Sequence, residues 1–361
     1  MKYRKLSRVL VCAVLGLVFL TAQAVAAQRV FVDMLGNSVT IPTPDKIERV
    51  GVLTSPQVQI MYIIGQQDKL VAMTQSQYRF KLFEKFYPDQ ANISAPRKQA
   101  ADMNIEALLA SKPQFCIGSS MDMDLVDKAT RIPTVRIDTQ DDPARVFETR
   151  KNEVTMFGEI FGAQDRAKAY CDYLDKTINQ LKEKTTSISD GKKLKVYLGF
   201  NPDHLTTYGG DTFMQYQIEA AGLINAASGI KSAGGREGGL ATVSMENILM
   251  WNPDILIIDN GTVDAIKADS KWANINAVKN NKIFILPVGG FIWNRPSAES
   301  AVLLPTWLAM NAYPDLFKET NIKDEIKRYW KDIIGFELSD EDVNSILTPP
   351  QFTGGGQGAG K

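Results

Sequence analysis

The sequence predicts an α/β protein of two lobes joined by a single long helix. Short buried strands alternate with helices along most of the chain, a pattern typical of parallel sheets. Gln164–Lys184 has apolar residues at helical spacing and one polar face, and at 1.5 Å per residue it extends about 30 Å. A similar length of chain lies on each side of it. The alternative is a packing helix inside one domain.

The N-terminus is typical of a secretory signal. Four basic residues precede the apolar run Val9–Leu20, which is too short to span a bilayer comfortably. Small residues at Ala24–Ala27 offer a cleavage site, and Val11 before Cys12 argues against lipoprotein processing. We therefore predict a signal peptide at 1–27 and an exported protein.

The composition excludes several partners. Removing the four basic residues of the signal from the total of 41 leaves 37 against 41 acidic residues, a net charge of −4. This balance does not favour nucleic acid or an anionic membrane. Cys116 and Cys171 remain, and two buried thiols are favoured over a disulfide, which stays open. We expect a monomer, because no apolar helix face is left unassigned.

The two lobes have similar predicted elements. The first lobe, 28–162, opens with a hairpin at Val30–Pro42. Its strands are expected at Arg49–Leu53, Leu70–Met73, Gln114–Ile117 and Thr134–Ile137. Its helices are expected at Gln57–Gly65, Asn104–Lys112, Asp124–Thr130 and Asp142–Phe161.

The connecting helix, 163–186, leads to the second lobe, 187–348. The strands here are expected at Lys195–Leu198, Ile255–Asp259 and Lys282–Leu286. The helices are expected at Thr212–Ala221, Met245–Met250, Trp272–Val278, Ser297–Ala312, Thr320–Ile333 and Ser339–Ile346. The glycine-rich stretch Ser232–Gly239 is expected to be mobile, and the tail 349–361 to be disordered.

A ligand site is expected in a cleft between the lobes, because ligands of parallel sheets lie at the carboxyl ends of the strands. Loops from both lobes meet there. The candidate side chains are Ser55, Tyr78, Arg79, Ser119, His204, Tyr208, Trp293, Asn294 and Arg295.

Trp293 and Arg295 are the candidate ligand-binding residues that the sequence supports most strongly. Arg295 precedes Pro296 at a helix start, where an arginine suits a carboxylate, catecholate or oxyanion. Trp293 offers a flat wall for an aromatic or macrocyclic ligand. The alternative is a structural arginine beside a packing tryptophan.

His204 is the only histidine. It suits either a metal left open by an incomplete chelator or, more commonly, an ordinary hydrogen bond. No set of His, Cys and carboxylate residues has the spacing of a bare divalent metal site, so we predict no bound metal and no cofactor.

A repeated segment places one glutamate in each half. Asn104-Ile105-Glu106 and Ser244-Met245-Glu246 each begin a short apolar helix, and each glutamate is followed seven residues later by proline and then a buried strand. Two ordinary helix starts would explain each copy alone. The matched pair suggests two surface carboxylates that dock onto a basic, symmetric partner.

Together these segments resemble the periplasmic binding proteins of ABC importers for ferric siderophores, haem and cobalamin. The segments VYLGFNPDHLTTYGGDTFMQYQIEAAGLIN and VSMENILMWNPDILII carry the resemblance, with the late W-x-R loop, across about Arg29–Gly335. It implies two Rossmann-like lobes, one connecting helix and modest closure. It also implies that Glu106 and Glu246 pair with arginines of a permease dimer that works with a cytoplasmic ATPase.

The resemblance implies a metal chelate as ligand, first a ferric siderophore. Haem, cobalamin, molybdate and chelated nickel stay open. Two other classes are an exported chelatase-like enzyme and a ligand sensor. The enzyme is disfavoured because His204 is the only candidate base and no acidic partner is placed beside it.

Overall fold

The computed structural model describes residues 27–99, 102–138, 142–232 and 239–349. The predicted signal peptide, most of the glycine-rich stretch and nearly all of the tail lie outside these residues. Within them, two parallel sheets lie on either side of the connecting helix in sequence, which confirms the predicted fold class.

The first sheet has six strands in the order β6-β5-β4-β3-β7-β8, all parallel except β6. A hairpin of β1 and β2 precedes it. The strands are β1 Gln28–Val32, β2 Ser38–Pro42, β3 Val50–Val52, β4 Leu70–Thr74, β5 Ser94–Gln99, β6 Asp102–Met103, β7 Phe115–Ser119 and β8 Thr134–Ile137. The helices are α1 Ser55–Ile63, α2 Lys81–Phe86, α3 Ile105–Ala110, α4 Ser120–Ala129 and α5 Val146–Phe161.

The second sheet has four parallel strands in the order β11-β9-β13-β14. Here the helices are α6 Gln164–Thr185, α7 Phe213–Ala220, α8 Met245–Trp251, α9 Val263–Ala268, α10 Asn276–Lys279, α11 Ala298–Ala312, α12 Ile322–Tyr329 and α13 Asp340–Leu347. The strands are β9 Lys195–Gly199, β10 Thr206–Thr207, β11 Ile224–Asn225, β12 Ala241–Thr242, β13 Ile255–Ile258 and β14 Ile283–Ile285.

The connecting helix α6 has the predicted extent and buries the predicted stripe. Ala167, Tyr170, Leu174 and Ile178 are all buried at spacings of three or four residues. The helix packs against α5, α7 and α11. Its contact with α5 is close, because a Cβ at Gly158 would lie 2.6 Å from the Cβ of Ala167.

The last helices return to the first lobe. Lys85 of α2 forms an ion pair with Asp342 of α13 at 2.7 Å, and the rings of Phe86 and Trp330 lie 5.2 Å apart. One continuous apolar core therefore runs through both lobes. The end of the second lobe at residue 348 remains a prediction. The last helices contact both lobes.

Some elements differ from the prediction. Helix α4 begins at Ser120 rather than Asp124, because Ser119 caps it through the N–H of Asp122. The helix predicted at Trp272–Val278 begins only at Asn276. The prediction missed α2, α9, β5 and β6 and the two-residue strands β10, β11 and β12. Strand β5 is polar and contains proline, so it lacks the apolar pattern of a buried strand.

Both cysteines in the described residues are free thiols. Cys116 is buried, as expected, whereas Cys171 is only half-buried. Burial raises the pKa of Cys116 to about 12. Of the helices that the structure describes, none combines the length and the apolar character needed to cross a membrane.

Candidate functional site

Two neighbouring strands of the second sheet, β9 and β13, lead into the loops that carry His204 and Asp259. Strands β9 and β13 are paired in parallel, with Gly199 opposite Ile258, so their carboxyl ends lie side by side. His204 follows β9 in a left-handed conformation, with φ of +57°. Its Nε2 would lie 3.5 Å from a Cβ at Gly261, in the loop after β13. The two loops therefore form one local site.

The imidazole of His204 is enclosed. The residue is 6% exposed, and burial lowers its pKa, which keeps the ring neutral near pH 7. Its Nδ1 is buried without a hydrogen-bond partner in the described part of the chain. The backbone carbonyl of His204 accepts a hydrogen bond from the hydroxyl of Tyr197 at 2.8 Å. A neutral ring with an unused nitrogen is suited to bind a ligand directly.

Asp259 is a further candidate for the site, which the sequence predicts only as the last residue of a buried strand. Burial raises the pKa of its carboxyl group to about 6, while the backbone N–H of Asn201 and the charge of Arg295 oppose the rise. A signal was present, because an acidic residue directly followed the apolar run of β13.

The structure brings Arg295, Tyr208 and Asn294 together. Nη1 of Arg295 donates to the hydroxyl of Tyr208, and that hydroxyl donates to the carbonyl of Asn294 at 2.8 Å. The amide of Asn225 donates to the carbonyl of Tyr208 at 3.2 Å. Tyr208 is 2% exposed, whereas Arg295 is half-buried. Tyr208, directly after β10, thus holds the guanidinium of the loop that follows β14.

In the first lobe, Ser55 lies in a cluster of hydroxyl groups at the ends of β3 and β4. Its Oγ contacts both Thr74 Oγ1 and Ser76 Oγ, which lie 3.1 Å from each other. Ser55 and Thr74 are buried. Hydroxyl groups can both donate and accept, so this cluster can turn donors toward an anion.

Ser119 and Tyr78 have structural partners. Ser119 Oγ donates to Asp122 Oδ2 at 2.7 Å, and Nε of Arg97 donates to the other oxygen of Asp122 at 2.7 Å. The hydroxyl of Tyr78 donates to the carbonyl of Ile93 at 2.6 Å. These hydrogen bonds give Ser119 and Tyr78 a structural role within the first lobe. The side chain of Arg79 lies outside the described residues.

The expectation that Trp293 forms an exposed wall is wrong in this structure. Its side chain is fully buried in the main core. The reason is the path of the loop. The N–H of Arg295 donates a hydrogen bond to the carbonyl of Ile292, and in the resulting turn Trp293 points inward. Trp293 therefore supports the loop rather than facing solvent.

Glu299 fixes the loop from the inside. Its carboxylate accepts hydrogen bonds from Nε2 of Gln59 and Nε1 of Trp330, each at 3.1 Å, and from the backbone of Gly290 and Phe291. The residue is 1% exposed, and burial raises its pKa to about 7. The sequence reasoning missed it, although it is an acidic residue in a long apolar helix.

The two lobes meet at this loop. Nε2 of Gln77 donates to the carbonyl of Gly290 at 3.1 Å, and Nη1 of Arg150 donates to the carbonyl of Pro296 at 2.7 Å. A Cβ at Gly289 would lie 2.0 Å from Oε1 of Glu299, so only glycine allows this approach. The loop is therefore held by both lobes.

Glu106 and Glu246 are both exposed in the first turn of α3 and α8. The helices are capped alike, by the side chains of Asn104 and Ser244. A hydrogen bond with the Ser244 side chain lowers the pKa of Glu246. Among the described residues, no three His, Cys, Asp or Glu side chains come together as a metal site.

This architecture is that of a solute-binding protein, and the comparison with known families agrees. The periplasmic binding protein family matches residues 50–288. The chain belongs to this family.

Its relatives are transport proteins. The molybdate-binding protein MolA of Haemophilus influenzae is 27% identical over 332 residues, which cover 84% of this chain and 90% of MolA. The structure of MolA bound to molybdate matches with a TM-score of 0.72 at 26% identity, covering 86% of this chain and 99% of that one.

Two further proteins are similar. A periplasmic solute-binding protein from Veillonella parvula has a TM-score of 0.75 at 25% identity, covering 89% of this chain and 97% of that one. The iron(3+)-hydroxamate-binding protein YxeB of Bacillus subtilis is 26% identical over 51% of this chain and 58% of its own. These relatives are substrate-binding transport proteins rather than enzymes.

Proposed function

We propose that this protein is the periplasmic component of an ABC importer that captures a metal-containing anion between its lobes. The protein is a monomer whose signal peptide has been cleaved. It delivers the anion to a permease dimer that works with a cytoplasmic ATPase. The observation that carries the proposal is the guanidinium of Arg295, held by Tyr208 at the carboxyl ends of the second sheet.

The position of Arg295 favours an anion. It lies just before α11, whose first turn adds positive potential from the helix dipole. We propose that the hydroxyl cluster around Ser55 faces the same anion and supplies donors from the other lobe. Fixed donors on two sides can replace the hydration shell of an oxyanion.

A compact oxyanion such as molybdate is our first candidate. MolA, which binds molybdate, matches over most of both chains. The ferric siderophore that the sequence favoured is the second candidate, supported by the hydroxamate-binding relative.

The test is a titration of the mature protein followed by tryptophan fluorescence and calorimetry. The panel is molybdate, ferric hydroxamate, ferric catecholate, haem, cobalamin and nickel with histidine. We expect molybdate to bind. Arg295→Ala should weaken binding by about tenfold or more, since a charged hydrogen bond contributes roughly 1.5–3 kcal/mol. Arg295→Lys should recover only part of the affinity, because it lacks the fork.

Arg328→Ala is the matched control, because this half-exposed arginine pairs with Glu325 on α12. It should bind as tightly as the unchanged protein. Binding of a siderophore alone would replace the first candidate by the second. Unchanged affinity in Arg295→Ala would remove this residue from the site, and no binding by any panel member in folded protein would contradict the proposed ligand class.

A further inference from the structure

The segments around Glu106 and Glu246 are two copies of one local structure at a constant offset of 140 residues. Leu108 and Ile248, at equivalent positions, are both fully buried. The residues that end the two helices, Lys112 and Asn252, both have left-handed backbones, with φ of +49° and +44°. The agreement extends over whole segments rather than over the glutamates alone.

Each copy is fixed to its sheet by a basic residue at the start of a central strand. Nε of Arg49 donates to the carbonyl of Lys112 at 3.1 Å, and Nζ of Lys195 donates to the carbonyl of Trp251 at 3.0 Å. Both helices are therefore capped at each end. Side chains on their outer faces are presented by a rigid backbone.

A leucine lies one turn after each glutamate. Leu109 and Leu249 are 48% and 42% exposed, among the most exposed large apolar side chains in the described residues. Residues three apart on a helix share a face, so each leucine lies beside its glutamate. One exposed leucine needs no explanation, but the same exposure at equivalent positions in both lobes does.

We propose that Leu109 and Leu249 are the apolar anchors of the permease-docking surface. Each leucine packs into an apolar socket of one permease subunit, beside the basic residue that pairs with the neighbouring glutamate. This inference rests on the proposed function, and it adds a component of the interface that charge alone does not supply.

The arrangement fits a permease dimer better than a second copy of this chain. A symmetric contact between two copies would place Glu106 of one opposite Glu246 of the other, and like charges repel. A two-fold symmetric partner with two basic, apolar sockets satisfies both ends at once. Charged groups then orient the encounter, and the buried leucines hold the complex.

The two ends are not equal. Met250, directly after Leu249, is 71% exposed, whereas the equivalent position in the first lobe is Ala110. The second lobe therefore offers the larger apolar contact. We expect substitutions at Leu249 to weaken docking more than those at Leu109.

The test uses photo-crosslinking in cells that carry the chain naturally. A benzophenone amino acid replaces Leu109 or Leu249, and crosslinked products are identified by mass spectrometry. Both positions should capture the same transmembrane permease. The probe at Leu316, a similarly exposed leucine in the turn after α11, should not. Glu106→Arg with Glu246→Arg should abolish both products.

A second measurement gives the energetic contribution. Binding of Leu109→Ser/Leu249→Ser to membrane vesicles that contain the captured permease should weaken by about tenfold or more, because two buried leucines are lost. The melting temperature of the variant should not change, since neither side chain is in the core.

The outcomes separate the two proposals. Crosslinks from probes at positions 106 and 246 but none from 109 and 249 would overturn the anchors and leave the importer function intact. Crosslinks to a second copy of the chain would also overturn them. No permease product from any of the four positions would contradict docking itself, and with it the proposed function.

Discussion

Asp259 lies within electrostatic reach of Arg295 at the ends of the second sheet, so the site contains an acid beside its anion-binding cation. Burial raises the pKa of Asp259 to about 6, and a bound anion would raise it further by repulsion. The complex then takes up a proton. Affinity should therefore rise as pH falls from 8 to about 6 and level off below that value.

Asp259→Asn tests this directly. The variant is neutral at every pH, so it should bind molybdate more tightly than the unchanged protein at pH 8 and show a flat profile from pH 8 to 6. Each unit of pKa shift corresponds to a tenfold change in affinity. Calorimetry across this range gives the comparison. Parallel pH profiles for the two proteins would show that Asp259 does not face the ligand.

At the scale of single residues, the candidate side chains were chosen because their loops follow predicted strands. This criterion succeeded for some residues and failed for others. Arg295, Tyr208 and Asn294 are three of the nine candidates, and they lie together because Tyr208, directly after β10, contacts the loop after β14. Trp293 was misjudged. Its alternation with polar neighbours says nothing about which face of an irregular loop is buried. That depends on the turn between Ile292 and Arg295, which the order of apolar and polar residues does not reveal.

The element that positions the loop is the start of α11. Glu299 holds Gly290, Phe291, Gln59 and Trp330 at once, although it is fully enclosed. In its protonated form it can donate to the oxygen of the Gln59 amide after a flip, since that oxygen is buried without a partner among the described residues. The hydrogen-bonding groups around Glu299 therefore accommodate either protonation state of its carboxyl group.

Protonation of Glu299 should appear as a pH dependence of stability. Its pKa in the folded protein is about 7, above the ordinary 4.5, so the folded state binds the proton more strongly. This contribution is complete below pH 4.5 and is lost as pH rises to about 7, a change of about 3 kcal/mol. Glu299→Gln should remove this slope. Urea unfolding at several pH values measures it.

Other groups also titrate in this window, so the difference between variants decides the result. Asp259 contributes with the same sign and His204, with its lowered pKa, with the opposite sign. Glu337→Gln is the control, because this glutamate is fully exposed. Its profile should follow that of the unchanged protein. If Glu299→Gln does so too, the carboxyl group does not titrate where we expect.

Regular elements were predicted well where apolar spacing defines them. The connecting helix agrees within one residue at its end, and β8 agrees at both ends. Elements with no such pattern were missed. Helix α9 has six residues and one buried side chain, Ile266, too few for a recognisable period.

At the scale of the whole molecule, the lobes are linked by more than the connecting helix. Arg150 donates to the carbonyl of Pro296, and Gln59 donates to the carboxylate of Glu299. These bonds are buried and connect both halves at the start of α11. Wide opening would break both of them, at roughly 1 kcal/mol each plus the cost of exposed polar groups.

We therefore expect little change in shape on ligand binding. A chain of this size has a radius of gyration of about 20 Å, and saturation with ligand should change it by less than about 1 Å. Small-angle X-ray scattering with and without the bound anion measures the difference. Arg150→Ala, which loses one of the buried bonds, should enlarge it. A decrease of several ångströms in the unchanged protein would show a hinge that these contacts do not restrain.

The glycines at 289 and 290 also limit how the protein can diversify. A side chain at 289 would collide with Glu299, and one at 290 would press on Gln59 and Trp330, 3.1 and 3.2 Å from its Cβ. Mutations that alter ligand choice must therefore accumulate beyond this point, at Ile292, Asn294 and Arg295. The buried start of the loop can then stay the same while the residues after it vary. Laboratory evolution of a new specificity should start by randomising those three positions.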